Sequence, residues 1–356
     1  MSRCKSSFYL AVAVRHLLKR EESLENVIEV KELTKFYGSL LAVDHVDFAV
    51  RNREIFGLLG PNGAGKTTTI RMICGMLRPT SGTAVVAGFD ISQKPQEVKR
   101  RIGLVPDISN LFGELSAKVN LEFMGKLYGL DKKTRRERID QVLTLFQLKD
   151  RQDDLVKYYS KGMHRRLTIA AALLHQPEIL IMDEPTSGLD AQTARLVREI
   201  ILNLNKEGRT ILLTTHQIDE ADRLVHRVGI IDLGKLIALD APEQLKEKTQ
   251  GMRALEIKIL DSVHQEDWLP IFKEVEGIDN VTLVEGKIRM LSKALPEIIP
   301  AVVNLVNKKG GKIENISVAQ PTLEDAFISL TGKGIREEPM SKEDYVKRRL
   351  ARSGLR

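Results

Sequence analysis

From Val27 onward, short apolar runs alternate with polar turns along the chain. The runs VIEVKELT, DHVDFAV, EIFGLLG, EILIMDE and TILLTTH are rich in aliphatic and β-branched residues, as is typical of strands. Segments with apolar residues at helical spacing separate the later runs, and a helix is predicted from about Lys66 to Met76. Strands that alternate with helices predict an α/β fold with a mainly parallel sheet.

The strand pattern is interrupted between residues 107 and 166. There SAKVNLEFMGKLYGL and RRERIDQVLTLFQL carry apolar residues at helical spacing, which predicts a helical insertion in the α/β core. A new organisation begins near residue 251, where RALEIKIL, NVTLVEGKIRML and IENISVA predict strands and ALPEIIPAVVNLVNKK predicts a helix. We therefore expect a basic tail at 1–26, a core at 27–250, a small α+β domain at 251–332 and a charged tail at 333–356.

Composition narrows the function classes. Hydrophobic residues at 42% and charged residues at 29% are typical of a globular protein, and the apolar runs are too short to cross a membrane. The two cysteines provide neither a metal-binding spacing nor a disulfide framework, which favours a reducing compartment. The formal charge of +7 arises at the ends, because residues 1–20 and 333–356 hold an excess of basic side chains larger than that total. The core is therefore slightly acidic, and no nucleic-acid partner is expected.

A phosphate-binding loop is predicted directly after the run EIFGLLG. Its residues match G-x-x-x-x-G-K-[ST] and open the predicted helix, which makes a chance match a poor alternative. Glycines let successive backbone N–H groups turn toward phosphate oxygens, and a lysine and a hydroxyl supply charge and a Mg²⁺ ligand. The predicted ATP-binding residues of this loop are Gly60, Pro61, Asn62, Gly63, Ala64, Gly65, Lys66, Thr67 and Thr68.

Two further segments carry candidate chemistry. The strand ILIMDEP ends in Asp183, whose carboxylate could reach a Mg²⁺ ion, and in Glu184, which could polarise an attacking water. Buried strands often end in acidic turns, so this pattern gains weight only behind a phosphate loop. In YYSKGMHRRLTIA, Ser160 and Gly162 at a helix start could bind phosphate, but an N-cap serine and a turn glycine would look the same.

Six ordered elements resemble the ATP-binding cassette (ABC) transporter ATPases. They are Tyr37, GPNGAGKT, YSKGM, ILIMDEP, SGLD and the histidine of TTHQIDEAD, and the resemblance covers residues 27–260. The segment PTLEDAFISLTG near the C-terminus also resembles the ending of the daunorubicin-resistance exporter branch. The resemblance implies a P-loop NTPase cassette as the fold of residues 27–250, with ATP and Mg²⁺ as cofactors.

The resemblance also implies roles within one subunit. Tyr37 would stack on adenine; without the resemblance it would be read as a core aromatic. Lys66 would contact the β and γ phosphates and take part in catalysis, while Thr67 and Asp183 would ligate Mg²⁺. Glu184 would be the general base, and His216 would sense the γ-phosphate.

Other implied roles need a second subunit. The signature residues Ser160, Lys161, Gly162 and Met163 would contact ATP bound to the opposite subunit, and the loop Ser187, Gly188, Leu189 and Asp190 would lie at the shared interface. The active unit would thus be a pair, made with a second copy or a related cassette. The family usually has L-S-G-G-Q, whereas this chain has Tyr159, Lys161 and Met163 at three of those positions.

A second departure concerns Asp107, which stands where the family usually has glutamine, in the loop that touches Mg²⁺ and faces the membrane subunit. A carboxylate can also ligate Mg²⁺, but it adds negative charge beside Asp183 and Glu184. We expect Asp107 to support hydrolysis with an altered metal or pH dependence.

The sequence as a whole predicts the ATPase subunit of an exporter, peripheral on the cytoplasmic face of the membrane and coupled to a separate integral-membrane permease. A soluble ABC-type ATPase without a transport role is the alternative, although paired cassettes, long coiled-coil insertions and zinc-binding cysteines are missing from the sequence. A regulatory protein that binds ATP without turnover is a further alternative, disfavoured by the presence of Glu184 and His216.

Overall fold

A computed structural model describes residues 26–248, 252–260, 265–284 and 286–331. The predicted tails at 1–26 and 333–356 lie outside the described residues, except for Asn26. The described chain forms two compact units, the first ending at Asp240 and the second beginning at Ala241. The domain division predicted at residue 250 stays a prediction.

The first unit contains an antiparallel sheet that the sequence did not separate from the main one. Its strands follow the order β2-β1-β4-β5, with bounds β1 Asn26–Tyr37, β2 Leu40–Arg51, β4 Ser81–Val86 and β5 Phe89–Asp90. The runs VIEVKELT and DHVDFAV lie in β1 and β2. Only two residues join these strands, and Gly38 adopts a φ of 57°, so the link permits a hairpin but no parallel crossover.

The main sheet has the strand order β10-β9-β3-β8-β7-β6, and its pairs are parallel except for β9 with β10. Its strands are β3 Ile55–Leu59, β6 Ile102–Val105, β7 Ile179–Asp183, β8 Thr210–Thr215, β9 Arg227–Asp232 and β10 Lys235–Asp240. Every residue of β3, β7 and β8 is buried, which explains their unbroken apolar runs. The predicted α/β fold class is confirmed.

The helices of the first unit begin where the sequence offers a capping side chain. Ser116, Asp131, Ser160 and Asp190 each accept hydrogen bonds from backbone N–H groups one turn into the following helix. The helices are α1 Lys66–Ile73, α2 Pro95–Arg101, α3 Ala117–Leu127, α4 Lys132–Leu145, α5 Lys161–Ala172, α6 Ala191–Lys206 and α7 Ile218–Leu224. Helix α1 ends three residues before the predicted Met76, because Gly75 at a φ of 63° closes it.

The second unit is a small α+β fold around an antiparallel sheet of order β12-β13-β11-β14. Its elements are α8 Pro242–Glu247, β11 Arg253–Leu260, α9 Trp268–Lys273, β12 Asn280–Val284, β13 Lys287–Ser292, α10 Leu295–Lys308, β14 Lys312–Ala319 and α11 Leu323–Thr331. The segment PTLEDAF opens α11 with a capping box, since the N–H of Asp325 donates to Oγ1 of Thr322 while the N–H of Thr322 donates to the Asp325 carboxylate. That buried carboxylate also pairs with Arg289.

Candidate functional site

The predicted phosphate loop connects the buried strand β3 to helix α1, as its mechanism requires. Gly65 adopts a φ of 105°, and a Cβ there would lie 2.7 Å from the carbonyl oxygen of Ala42. A Cβ on Gly60 would lie 2.1 Å from the carbonyl oxygen of Ile231. Position 65 therefore requires glycine for both conformation and space, and position 60 requires it for space.

Lys66, the first residue of α1, lies buried against its own loop. Its Nζ donates to the carbonyl oxygens of Gly60 at 2.6 Å and Pro61 at 3.2 Å, and lies 3.2 Å from Oε1 of Glu184. Burial lowers the pKa of the Lys66 ammonium below its usual value, and the charge of Glu184 offsets part of that shift. The ammonium thus lies between the phosphate loop and the carboxylate that follows β7.

The end of β7 presents Asp183 to the start of α1. Oδ1 of Asp183 accepts a hydrogen bond from Oγ1 of Thr214 at 2.5 Å and from Oγ1 of Thr67 at 3.2 Å. A carboxylate and a hydroxyl in this arrangement are the oxygen ligands that Mg²⁺ prefers, so the donor set fits the predicted ion. Thr214 was missed by sequence reasoning, because a threonine near the end of a buried strand carries no local signal of its partner.

Glu184 and His216 follow two neighbouring strands, β7 and β8, and meet at the sheet edge. Nδ1 of His216 lies 2.7 Å from Oε2 of Glu184. Burial favours the neutral form of Glu184, but the hydrogen bond from His216 and the charge of Lys66 outweigh it and hold the carboxyl pKa below its ordinary value. The same hydrogen bond raises the pKa of the His216 imidazole. The pairing therefore favours the charged form of each partner, the carboxylate of Glu184 and the imidazolium of His216.

Asp107 lies in the loop that leaves β6, the strand next to β7, and is exposed. Partial desolvation of its carboxyl by the neighbouring site, followed by the charge of Asp183, raises the pKa of Asp107, and Arg165 opposes this shift. The structure thus brings Asp107 close enough to Asp183 and Glu184 for their negative charges to interact. Its predicted role as a metal ligand stays a prediction.

The predicted signature residues lie against the predicted interface loop of the same chain. Ser160 caps α5 by accepting a hydrogen bond from the N–H of Met163, so its N-cap role is real whatever else it binds. A Cβ on Gly162 would lie 2.6 Å from Cγ2 of Thr193 at the start of α6. A Cβ on Gly188 would lie 2.2 Å from Nζ of Lys161, so this ammonium covers the turn that also contains Ser187, Leu189 and Asp190.

Two residues with a predicted ATP contact, Tyr37 and Thr68, have no hydrogen bond or ion pair described above with Lys66, Asp183, Glu184 or His216. Tyr37 ends β1 and is 45% exposed, so it is not a core aromatic, and Nζ of Lys35 lies 5.5 Å from its ring centroid. Thr68 is half-buried in the first turn of α1. Neither residue contradicts its predicted ATP contact, which stays a prediction.

The structure adds Arg165, which sequence reasoning missed. This residue of α5 is 8% exposed. Its guanidinium donates to the backbone carbonyls of Asp183, Glu184 and Pro185, at the carboxyl end of β7, and to that of Pro106, which follows β6. In HRRL it looks like part of a charged helix face, so no sequence signal separates it from its neighbour.

No helix among the described residues has the length and apolar character needed to cross a membrane. This finding concerns the ranges 26–248, 252–260, 265–284 and 286–331 alone.

Comparison with known proteins identifies what this arrangement resembles. The family model described as ABC transporter matches residues 43–187. The chain is 34% identical over 313 residues to the linearmycin resistance ATP-binding protein of Bacillus subtilis, which covers 87% of this chain and 100% of that protein. It is 36% identical over 313 residues to the daunorubicin/doxorubicin resistance ATP-binding protein of Streptomyces peucetius, covering 86% of this chain and 92% of that protein.

Among solved structures, the chain is similar to an ATP-binding cassette in a dimeric post-hydrolysis state bound to ADP and Pi. The two share 25% sequence identity and a TM-score of 0.56, over 60% of this chain and 98% of the other. These comparisons confirm the P-loop NTPase fold and the resemblance drawn from the motifs.

Proposed function

This chain belongs to the ABC transporter ATP-binding proteins of the drug-resistance type and is therefore an ATP-hydrolysing subunit. We propose that it energises export through a separate membrane permease. The observation that carries the proposal is the convergence of Lys66, Asp183, Glu184 and His216 beside the phosphate loop. These residues come from three parallel strands whose carboxyl ends share one edge, where open α/β sheets bind ligands.

We propose that residues 60–68 hold the phosphates of ATP. The curled backbone between Gly60 and Gly65 offers N–H donors. Lys66 adds a positive charge, and its hydrogen bonds to the carbonyl oxygens of Gly60 and Pro61 hold the ammonium beside the loop. Thr67 and Asp183 would hold Mg²⁺. That ion, when bound, withdraws electron density from phosphate oxygens and so favours attack on phosphorus.

Glu184 is the proposed general base, and His216 orients it. An ionised carboxylate can accept a proton from water, and the low pKa of Glu184 keeps it in that form. His216 holds one carboxylate oxygen at 2.7 Å, which leaves the other oxygen near Lys66. His216 would also lie near the γ-phosphate if Lys66 contacts that group, because both side chains contact the Glu184 carboxylate, and this supports the proposed sensing role.

The signature residues would complete the site of an opposite subunit. Support comes from the packing of Gly162 against Thr193 and of Lys161 against Gly188, which holds the proposed phosphate-contacting segment and interface loop as one surface. The similar solved cassette is dimeric. A second copy of this chain, or a related cassette, would supply the other half.

The loop at Asp107 is the proposed contact with the permease, on the cytoplasmic face of the membrane. Large apolar side chains near it are exposed, with Ile108 at 84% and Phe112 at 50%. The Phe112 ring packs edge-on against Phe123 of α3, with centroids 5.4 Å apart. Exposed apolar groups at one place are typical of a protein interface.

The test is purification of the tagged full-length chain from native membranes, with mass spectrometry of the bound proteins and an ATPase assay. A co-purifying protein with several membrane spans, and ATPase activity that changes when it is present, supports the proposal. Co-purification with ribosomal or nucleic-acid-binding proteins alone would favour the soluble ATPase instead. An absence of turnover in the purified complex would favour a regulatory ATP-binding protein.

A further inference from the structure

The buried guanidinium of Arg165 binds the turn that carries the proposed base. Its Nε donates to the carbonyl oxygen of Pro185 at 2.8 Å, and its Nη2 donates to those of Asp183 at 2.8 Å and Glu184 at 2.9 Å. Three consecutive carbonyls are thus fixed by one planar group. Unlike a lysine ammonium, a guanidinium offers these donors in a rigid fork.

The backbone at Glu184 is strained, and the strain lies inside this turn. Glu184 has a φ of 48°, a conformation that residues with a side chain adopt rarely. That conformation directs its carboxylate toward His216 and Lys66. If Glu184 relaxed to a negative φ, its neighbouring carbonyls would rotate away from Arg165. The hydrogen bonds of Arg165 therefore oppose that relaxation.

Arg165 also reaches the loop of Asp107. Its Nη1 donates to the carbonyl oxygen of Pro106 at 2.5 Å, directly before Asp107. The side chain arises from α5, whose first turn holds the signature residues. One guanidinium therefore joins the turn of the base, the loop proposed to face the permease and the signature helix.

We propose that Arg165 is a positioning residue that holds Glu184 in its strained, productive conformation and ties that conformation to the 106–107 loop. The inference rests on the proposed role of Glu184. Removing the guanidinium takes one donor from each of three carbonyls of the turn, of which that of Glu184 keeps the N–H of Ser187, and burial makes an unsatisfied carbonyl unfavourable. The expected loss is in the chemical step, because Arg165 is not placed against the ATP phosphates.

The test compares Arg165→Gln, Arg165→Lys and Arg165→Ala with wild type in the full-length chain. We expect Arg165→Gln to lower kcat about 100-fold, as misplacement of a catalytic group by about 1 Å does, while KM for ATP changes less than about threefold. Arg165→Lys should recover only part of the rate, since it cannot bind all three carbonyls. In a single-turnover experiment, labelled ATP is bound to each variant and the bound nucleotide is then separated into ATP and ADP. In Arg165→Gln most of the label should remain in ATP, whereas in wild type it should appear in ADP.

Chemical rescue separates positioning from folding. A cavity of about 470 Å³, lined by Arg165, Glu184 and Asp107 among others, gives a small cation access to the site. Millimolar guanidinium should therefore raise kcat of Arg165→Ala at least severalfold. Arg138→Gln is the matched control, because Arg138 likewise donates to two consecutive carbonyls, of Leu173 and Leu174, away from the cluster.

The outcomes are distinct. The inference is overturned if Arg165→Gln keeps kcat within twofold of wild type, if KM rises as much as kcat falls, or if Arg138→Gln shows the same split and the same rescue. A Glu184→Gln variant run in parallel separates this from the proposed function. If Glu184→Gln is inactive and Arg165→Gln is normal, Arg165 alone is misassigned; if Glu184→Gln turns over normally, the base itself is wrong.

Discussion

Nδ1 of His216 lies 2.7 Å from Oε2 of Glu184, although the two residues are 32 positions apart in the chain. They meet because β7 and β8 are parallel neighbours, so the residues that follow both strands emerge at the same edge. The Glu184 residue that makes this contact has a backbone φ of 48°. Its orientation thus depends on a partner strand and on a strained turn together.

Glu184→Gln should lower ATP hydrolysis about 100- to 10,000-fold, the range expected when a general base is removed, because an amide cannot accept the proton of water. ATP binding should remain, and the ATP-bound dimer should accumulate in size-exclusion chromatography. Glu178→Gln is the control, since Glu178 precedes β7 at its opposite end and its side chain is 60% exposed. Normal turnover by Glu184→Gln would show that the base has been misassigned.

The stability provided by the Glu184 and His216 pair should depend on pH. The lowered pKa of Glu184 means that its contribution is present above the unfolded value of about 4.3 and is lost as the pH falls through the folded pKa. The raised pKa of His216 means that its contribution is full below about pH 6.5 and is lost as the pH rises through the folded pKa. Both contributions are therefore present near pH 6.

Thermal unfolding of wild type and His216→Gln at pH 6 and pH 9 measures this dependence. A hydrogen bond between charged groups contributes about 1.5 kcal/mol or more, so His216→Gln should lower Tm by roughly 3 to 6 °C at pH 6 and by less at pH 9. His164→Gln should show the opposite trend, because burial lowers the pKa of His164 and its charging destabilises the fold in acid. A His216 effect that grows from pH 6 to pH 9 would contradict the pairing.

Asp107→Gln should change the metal and pH dependence of hydrolysis. The carboxylate adds negative charge near Asp183 and Glu184, so its removal should raise the Mg²⁺ concentration for half-maximal activity severalfold. The pKa of Asp107 is raised by partial desolvation and by the charge of Asp183, so the acid limb of the pH profile should move to lower pH when this carboxyl is removed. Asp150→Gln, at an exposed position of the helical insertion, is the control. If activity, Mg²⁺ dependence and pH profile all stayed unchanged, Asp107 would have no part in the site.

Gly162→Ala should destabilise the contact between α5 and α6. The added methyl would lie 2.6 Å from Cγ2 of Thr193, and overpacking of this kind costs about 1 to 3 kcal/mol, or a fall in Tm of several degrees. Adding Thr193→Ser removes that methyl group and should restore most of the loss. Gly113→Ala is the control, because its nearest neighbour would lie at an ordinary 3.5 Å. A failure of the double variant to recover stability would mean that the strain arises elsewhere.

The sequence alone determined the family, the α/β fold class, the strands and helices that flank the motifs, and the position of the predicted phosphate loop. Each of these depends on residues near one another in the chain, such as the glycines and lysine of residues 60–66 or the apolar spacing of α3 and α4. It also marked Asp107 as a departure, since a single position can be compared directly with a motif.

Tertiary structure decided which of these residues meet and how they are held. The pairing of β1 with β2 in a separate sheet, the hydrogen bond from Thr214 to Asp183 and the five carbonyl contacts of Arg165 join segments that no local pattern connects. Strand order and backbone strain arise from packing of the whole first unit, because burial and hydrogen bonding are satisfied there only when distant segments pair. A buried arginine within HRRL therefore reads as surface charge until the fold places the turn of Glu184 beside it.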